Sequence, residues 1–99
     1  MPTVNYSEYL YQELQDDEFA VGYVRELLSN YESPVEVLLG LKNIVEARGG
    51  FTQVSKEAGI SRTHLHRIIN GENFPRLDTF LAILEAVEIR LFDEEREAA

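Results

Sequence analysis

The chain has 99 residues, 44% hydrophobic and 27% charged, with a formal net charge of −9 and no cysteine. That length supports one small domain around a single core, and no apolar run approaches a membrane span. The missing cysteines exclude disulfides, thiolate zinc sites and cysteine nucleophiles, and without a basic-then-apolar leader the expected setting is the cytoplasm.

Helix signals follow one another along the chain. Asn5 with Glu8 has the form of a capping box, and Tyr6, Leu10 and Leu14 recur behind it at four-residue intervals. Asp16 and Asp17 restart the chain, because acids favour a helix N-terminus and compete with a helix interior. Ala20, Tyr23, Val24, Leu27, Leu28 and Tyr31 then carry the i, i+3, i+4, i+7 stripe of a buried face. In Ser33-Pro34-Val35-Glu36, serine caps, proline takes the first helical position and Glu36 reaches back to the cap. Leu38, Leu41, Ile44 and Val45 give that helix its apolar face, and Gly49-Gly50 ends it. Thr52 is the expected cap of a short helix running to Ala58; Ser61 caps the next, which Asn70-Gly71 closes. After Pro75, a last helix is expected from Leu77 to Val87 with Phe80, Leu81, Leu84 and Val87 inward. The alternation of Ile89 and Leu91 against Arg90 and Phe92 is that of one short C-terminal strand.

A net charge of −9 argues at first against nucleic acid, because phosphates repel an acidic surface. The distribution reverses that. Residues 1–33 hold seven acids against one base, and residues 77–99 hold seven acids against two. Between them, residues 34–76 hold six bases against four acids, so a basic middle lies between acidic ends.

That middle contains EAGISRTHLHRIING, residues 57–71. At about 100° per residue, Leu65, Ile68 and Ile69 fall on one side of a helix and Thr63, His66, Arg67 and Asn70 on the other. The second set suits base edges: arginine can take guanine in a bidentate fork, asparagine can take adenine, and a threonine methyl can meet that of thymine. Ser61, Arg62 and Thr52 suit the phosphate backbone, with Lys56, Asn73 and Arg76 as further polar neighbours. Two short helices, Thr52–Ala58 and Arg62–Ile69, joined by Gly59-Ile60-Ser61, have the physical parts of a helix-turn-helix.

The stretch TQVSKEAGISRTHLHRIINGENFPRLDTFLAILEAVEI resembles the helix-turn-helix domains of Cro and the phage repressors, a likeness covering about residues 34–90. The whole layout is similar to HigA-like antidote proteins of bacterial toxin–antitoxin modules. That likeness is carried by Tyr9, Leu10, Leu14, Asp17, Glu18, Phe19, Ala20, Tyr23 and Val24, then Ala47, Arg48, Gly49 and Gly50. The resemblance implies a homodimeric, autoregulating DNA-binding antitoxin that holds a small basic toxin inactive. Three residues depart from the pattern. Ser55 stands where alanine is usual, Phe51 where many phage repressors carry a phosphate-binding glutamine, and Glu88 where glycine is usual.

His64 and His66 project about 200° apart on a helix and so do not form a paired metal site. His66 with Arg67 lacks a nucleophile and a concave scaffold, so no catalytic site, metal or cofactor is expected. Phe19 and Tyr23 are expected to pack the first helices onto the domain, leaving Tyr11 as the outward-facing ring. The expectation is an all-α chain: a helical extension over 1–32, a helix-turn-helix domain over 33–92 and an acidic tail over 93–99. It would bind a double-stranded operator as a homodimer, pairing through the last helix and Ile89, Leu91 and Phe92. The acidic extension would face the toxin. Two alternatives remain: a prophage-type repressor without a toxin, and an interaction module whose helix-turn-helix does not bind DNA.

Overall fold

A computed structural model describes residues 6–91, which form six helices and, among those residues, no strand. They are α1 (Tyr6–Glu13), α2 (Asp17–Asn30), α3 (Pro34–Ala47), α4 (Gly50–Ala58), α5 (Arg62–Ile69) and α6 (Leu77–Ala86). The expected Asn5 cap and Phe92 lie outside the described residues.

Local chemistry starts most of these helices where the sequence places them. Asp16 caps α2, its carboxylate accepting from the Phe19 N–H at 2.9 Å. Pro34 occupies the first position of α3 behind Ser33, but the serine side chain makes no capping bond. Glu36 reaches back one residue further than expected and accepts from the Glu32 N–H at 2.9 Å. Thr52 is not a cap: α4 already begins at Gly50 behind Gly49, and Thr52 stands exposed in its first turn. The backbone at Gly49 and Gly50 has φ of 132° and 84°, so the chain turns there two residues before the threonine.

Helices α4, α5 and α6 end in the same way. After α4, the Ile60 N–H bonds the Ser55 carbonyl at 3.0 Å and the Gly59 N–H bonds that of Lys56 at 3.3 Å. After α5, Glu72 bonds Arg67 and Gly71 bonds Ile68; after α6, Ile89 bonds Leu84 and Glu88 bonds Glu85. Each is a Schellman motif, which needs a left-handed residue in the penultimate place. Gly59 supplies it at φ 77° without steric cost, whereas Glu88 is forced to φ 63° with a side chain attached.

The core gathers Leu10, Leu14, Ala20 and Val24 from the first two helices and the turn between them. They meet Leu38, Leu41, Ile44 and Val45 of α3, and Val54, Leu65, Ile68, Ile83, Leu84 and Val87 from the rest. Helices α1 and α2 therefore share one core with α3–α6. Gly40 lets α2 close on α3, because the Leu27 methyls occupy the space a Cβ would take. Ser55, buried between helices, returns its hydroxyl to the Thr52 carbonyl at 3.1 Å and so is a satisfied polar group.

Arg48 ties the halves together. Its guanidinium donates to the Val87 carbonyl at 2.8 Å, the Leu14 carbonyl at 2.7 Å and the Asp17 carboxylate at 2.6 Å. One side chain thus satisfies carbonyls where α1 and α6 end and pairs with the start of α2.

Five expectations fail on packing. On α6, Ile83 is buried and Leu81 is exposed, since Ile83 lies within about 60° of Phe80 and Leu81 about 100° away on the other side. On α2, the stripe is covered only as far as Val24 and partly at Leu27, leaving Leu28 and Tyr31 exposed where α3 diverges. Tyr11 is not an outward ring: it is half-buried and its hydroxyl donates to the Glu46 carboxylate. The expected strand is absent over the described residues 89–91, because the surrounding helices offer no open ladder edge. Ile89 instead turns into the core at 4% exposure, so it is no dimer surface, and Leu91 is half-buried with its carbonyl accepting from Arg25.

Candidate functional site

Helix α5 buries Leu65, Ile68 and Ile69 and turns its other side to solvent. Ser61 caps it, the hydroxyl accepting from the His64 N–H at 2.9 Å. The N–H groups of Arg62 and Thr63 lie in the first turn, where a helix has no carbonyl to offer them. The positive end of the helix dipole and two N–H donors therefore face outward beside an arginine.

Thr63, Arg67 and Asn70 are all exposed and lie within about 60° of one another around the helix. Arg62 is exposed on the flank. Among the described residues neither Arg62 nor Arg67 is ion-paired; the salt bridges there join Arg48 to Asp17 and Arg76 to Asp78. Two uncommitted guanidiniums on one short helix can meet carboxylate, phosphate or a guanine edge with equal chemical ease.

His66 stands apart from its expected companions. It is half-buried, its ring stacked on Phe51 of α4 with centroids 4.1 Å apart and planes 7° from parallel. About 60° separate it from the centre of the polar face, which brings it over the first turn of α4. The Phe51–His66 stack fixes α5 against α4 and leaves only part of the imidazole for an outside ligand. It also accounts for the aromatic ring at position 51, which no local signal links to a residue fifteen positions on.

Exposed polar residues extend this surface onto α4. Thr52, Gln53 and Lys56 are exposed, with the Gln53 amide donating to Glu57 at 3.5 Å. Arg76 is held by Asp78 at 3.3 Å, both well exposed, so its charge is partly offset. Among the described residues, no group of three or more histidines and carboxylates is placed to hold a metal. The described residues together define a small helical protein in which one face of α5 presents uncommitted cations while the chain as a whole is acidic.

The family described as a probable addiction module antidote protein matches residues 4–94, and the chain belongs to that family. An antidote of an addiction module is one half of a toxin–antitoxin pair. A protein of Haemophilus influenzae, named only as uncharacterized, is 29% identical over 80 residues, which are 80% of this chain and 79% of that one. No solved structure matches. No helix among the described residues is long and apolar enough to cross a membrane.

Proposed function

We propose that α4, its three-residue turn and α5 form a helix-turn-helix, and that the chain binds its own operator as a homodimer, repressing its module while neutralising the module's toxin. The observation that carries this reading is the face of α5. Thr63, Arg67 and Asn70 project together from a helix whose opposite side is locked into the core, with Arg62 and Arg67 free of ion pairs among the described residues. Arg67 and Asn70 suit guanine and adenine edges, and Thr63 suits a thymine methyl. Ser61, Arg62 and Thr52 contact the phosphate backbone, and His66 contributes from the edge of the face while holding α5 on α4. The protein acts by binding alone, without a catalytic step or cofactor, in the cytoplasm.

The acidic segment before residue 33 is the toxin-facing part. Glu8, Asp16, Asp17, Glu18 and Glu26 are exposed there with Tyr6 and Tyr9, so negative charge and aromatic area stand together. A toxin that handles RNA needs a positive surface, which such a segment would steer and cover.

The test is binding to a duplex of the protein's own upstream region, against a scrambled duplex, at low and moderate salt. Specific binding whose affinity falls steeply with salt is expected, because few cations carry the contact on an acidic body. Equal affinity for both duplexes would reduce α5 to a phosphate-binding face. No binding at low salt would leave α4 and α5 as a protein-interaction surface.

A further inference from the structure

An uncharged groove lies between the end of α2, the start of α3 and the start of α6, walled by Leu28, Tyr31, Pro34, Phe74, Leu77 and Phe80. Beside it, Leu77 is 72% exposed and Phe74 60%, and Leu81 continues the edge one turn further along α6. The ends of three helices and the loop before α6 thus leave apolar side chains in water. We propose that this face is the docking site for a second copy of the chain.

Area is the first argument. The exposed parts of these side chains amount to on the order of 600 Å², at the upper end of the ~300–600 Å² of the largest patch on a monomer and near the ~800 Å² per partner of a standard interface. A patch of that size can supply most of one partner's share of a standard interface.

Charge and shape select the occupant. Each copy carries −9, so two copies repel one another wherever acidic surfaces meet. No residue lining the groove bears a charge, and beside it in the chain stand the exposed Glu32 and Glu36 and the exposed Arg76–Asp78 pair, so both signs border an apolar face. A two-fold contact places the same patch on both sides, which a charged patch opposes and an apolar one permits. The exposed Leu77 and Phe74 are themselves walls of the groove, so a two-fold contact sets apolar area against apolar area.

The position fits the reading above and rests on it in one respect only. Phe74 follows the end of α5 by five residues, so the face adjoins the helix proposed to read DNA. Recognition helices must be about 34 Å apart to meet successive turns of DNA. Ile89, buried in its own core, offers no such contact.

The full-length chain should be weighed by sedimentation velocity and native mass spectrometry, without DNA, from low to high micromolar concentration. The wild type is expected to dimerise, and Leu77→Glu with Leu81→Glu to raise the dimer dissociation constant by at least about 100-fold with helix content unchanged. Leu39→Glu, equally exposed on α3 but outside the groove, should dimerise as the wild type does. Because the chain has no cysteine, Leu77→Cys provides a second test that does not depend on a charged variant folding. A short bismaleimide should join two copies at that site and should not join Gln12→Cys. A monomeric wild type, a dimeric double variant or an uncrosslinked Leu77→Cys would each overturn the proposal. So would a monomer that loses only its module's toxin on the Leu77 and Leu81 substitutions, since the occupant would then be that partner. A dimer of this kind that ignores its upstream region would sink the DNA reading and leave this one standing; a monomer that binds the region would do the reverse.

Discussion

Replacing Arg48 with alanine removes a guanidinium whose side chain is only 9% exposed, together with its bonds to two helix-end carbonyls and one carboxylate. The carbonyls of Leu14 and Val87, accepting at 2.7 and 2.8 Å, lose a charged donor each, worth about 1.5–3 kcal/mol apiece when fully dry. The surrounding cleft, lined by Gln15, Asp17, Gln53 and Glu57 among others, opens to solvent, so water can replace part of what is lost. The expected cost is therefore about 2–4 kcal/mol. For a chain of this size that corresponds to a fall in Tm of roughly 10–25 °C. The ion pair contributes little, because Asp17 is 81% exposed and such pairs are worth about 0–1 kcal/mol. Asp17→Asn should accordingly melt within a few degrees of the wild type, while Arg48→Lys, a single ammonium that cannot span both carbonyls, should fall between the two. Thermal unfolding followed by circular dichroism and calorimetry measures all three. An Arg48→Ala protein within about 0.5 kcal/mol of the wild type would refute the idea that this side chain joins the halves. A loss in Asp17→Asn equal to that in Arg48→Ala would locate the effect in the ion pair instead.

Glu88→Gly should raise stability by about 0.5–1 kcal/mol in denaturant titrations, since the left-handed backbone at φ 63° ceases to carry a Cβ and glycine's entropy cost only partly offsets the gain; a loss would mean that the glutamate side chain holds the helix end. The Tyr11 phenol is pushed up to about 12 from an ordinary 10.0, first by its bond to Glu46, then by burial and nearby negative charge. With a raised folded-state value, its stabilising contribution is complete below about pH 10 and disappears as pH climbs through about 12. The stability gap between wild type and Tyr11→Phe should shrink over that window alone, and a gap constant from pH 8 upward would contradict the assignment. Arg67→Ala should weaken operator binding by about 1–3 kcal/mol while leaving affinity for a scrambled duplex nearly unchanged; an equal fall on both duplexes would make Arg67 a phosphate contact. Glu8→Lys with Glu18→Lys should slow association with the module's toxin roughly tenfold or more at low salt and leave DNA binding in place. Unchanged association kinetics would move the toxin's site off the acidic segment. Point reversals serve here because Leu10, Leu14, Ala20 and Val24 belong to the core, so deleting the segment would strip it.

Most helix boundaries, the start of α4 excepted, were legible because their causes are local. Asp16, Pro34, Ser61 and Gly59 each act on groups within about four residues, and a side chain or fixed φ at that range does its work whatever the rest of the chain does. The same holds for α5, where a 3.6-residue period alone separates Leu65, Ile68 and Ile69 from Thr63, Arg67 and Asn70. Where a stripe was wider than its cover, periodicity overreached: Leu28, Tyr31 and Leu81 have the spacing of buried residues and stand in water. Only the way α2, α3 and α6 diverge decides that. Tertiary packing likewise decided that Phe51 meets His66, that Tyr11 meets Glu46, and that Arg48 gathers Leu14, Asp17 and Val87 from 31 to 39 residues away. Glu88 marks the limit between the two kinds of cause. Its residue type argues against a left-handed helix end, yet the packing of Ile89 into the core holds the chain there, and a few contacts in the interior outweigh about 1 kcal/mol of local strain.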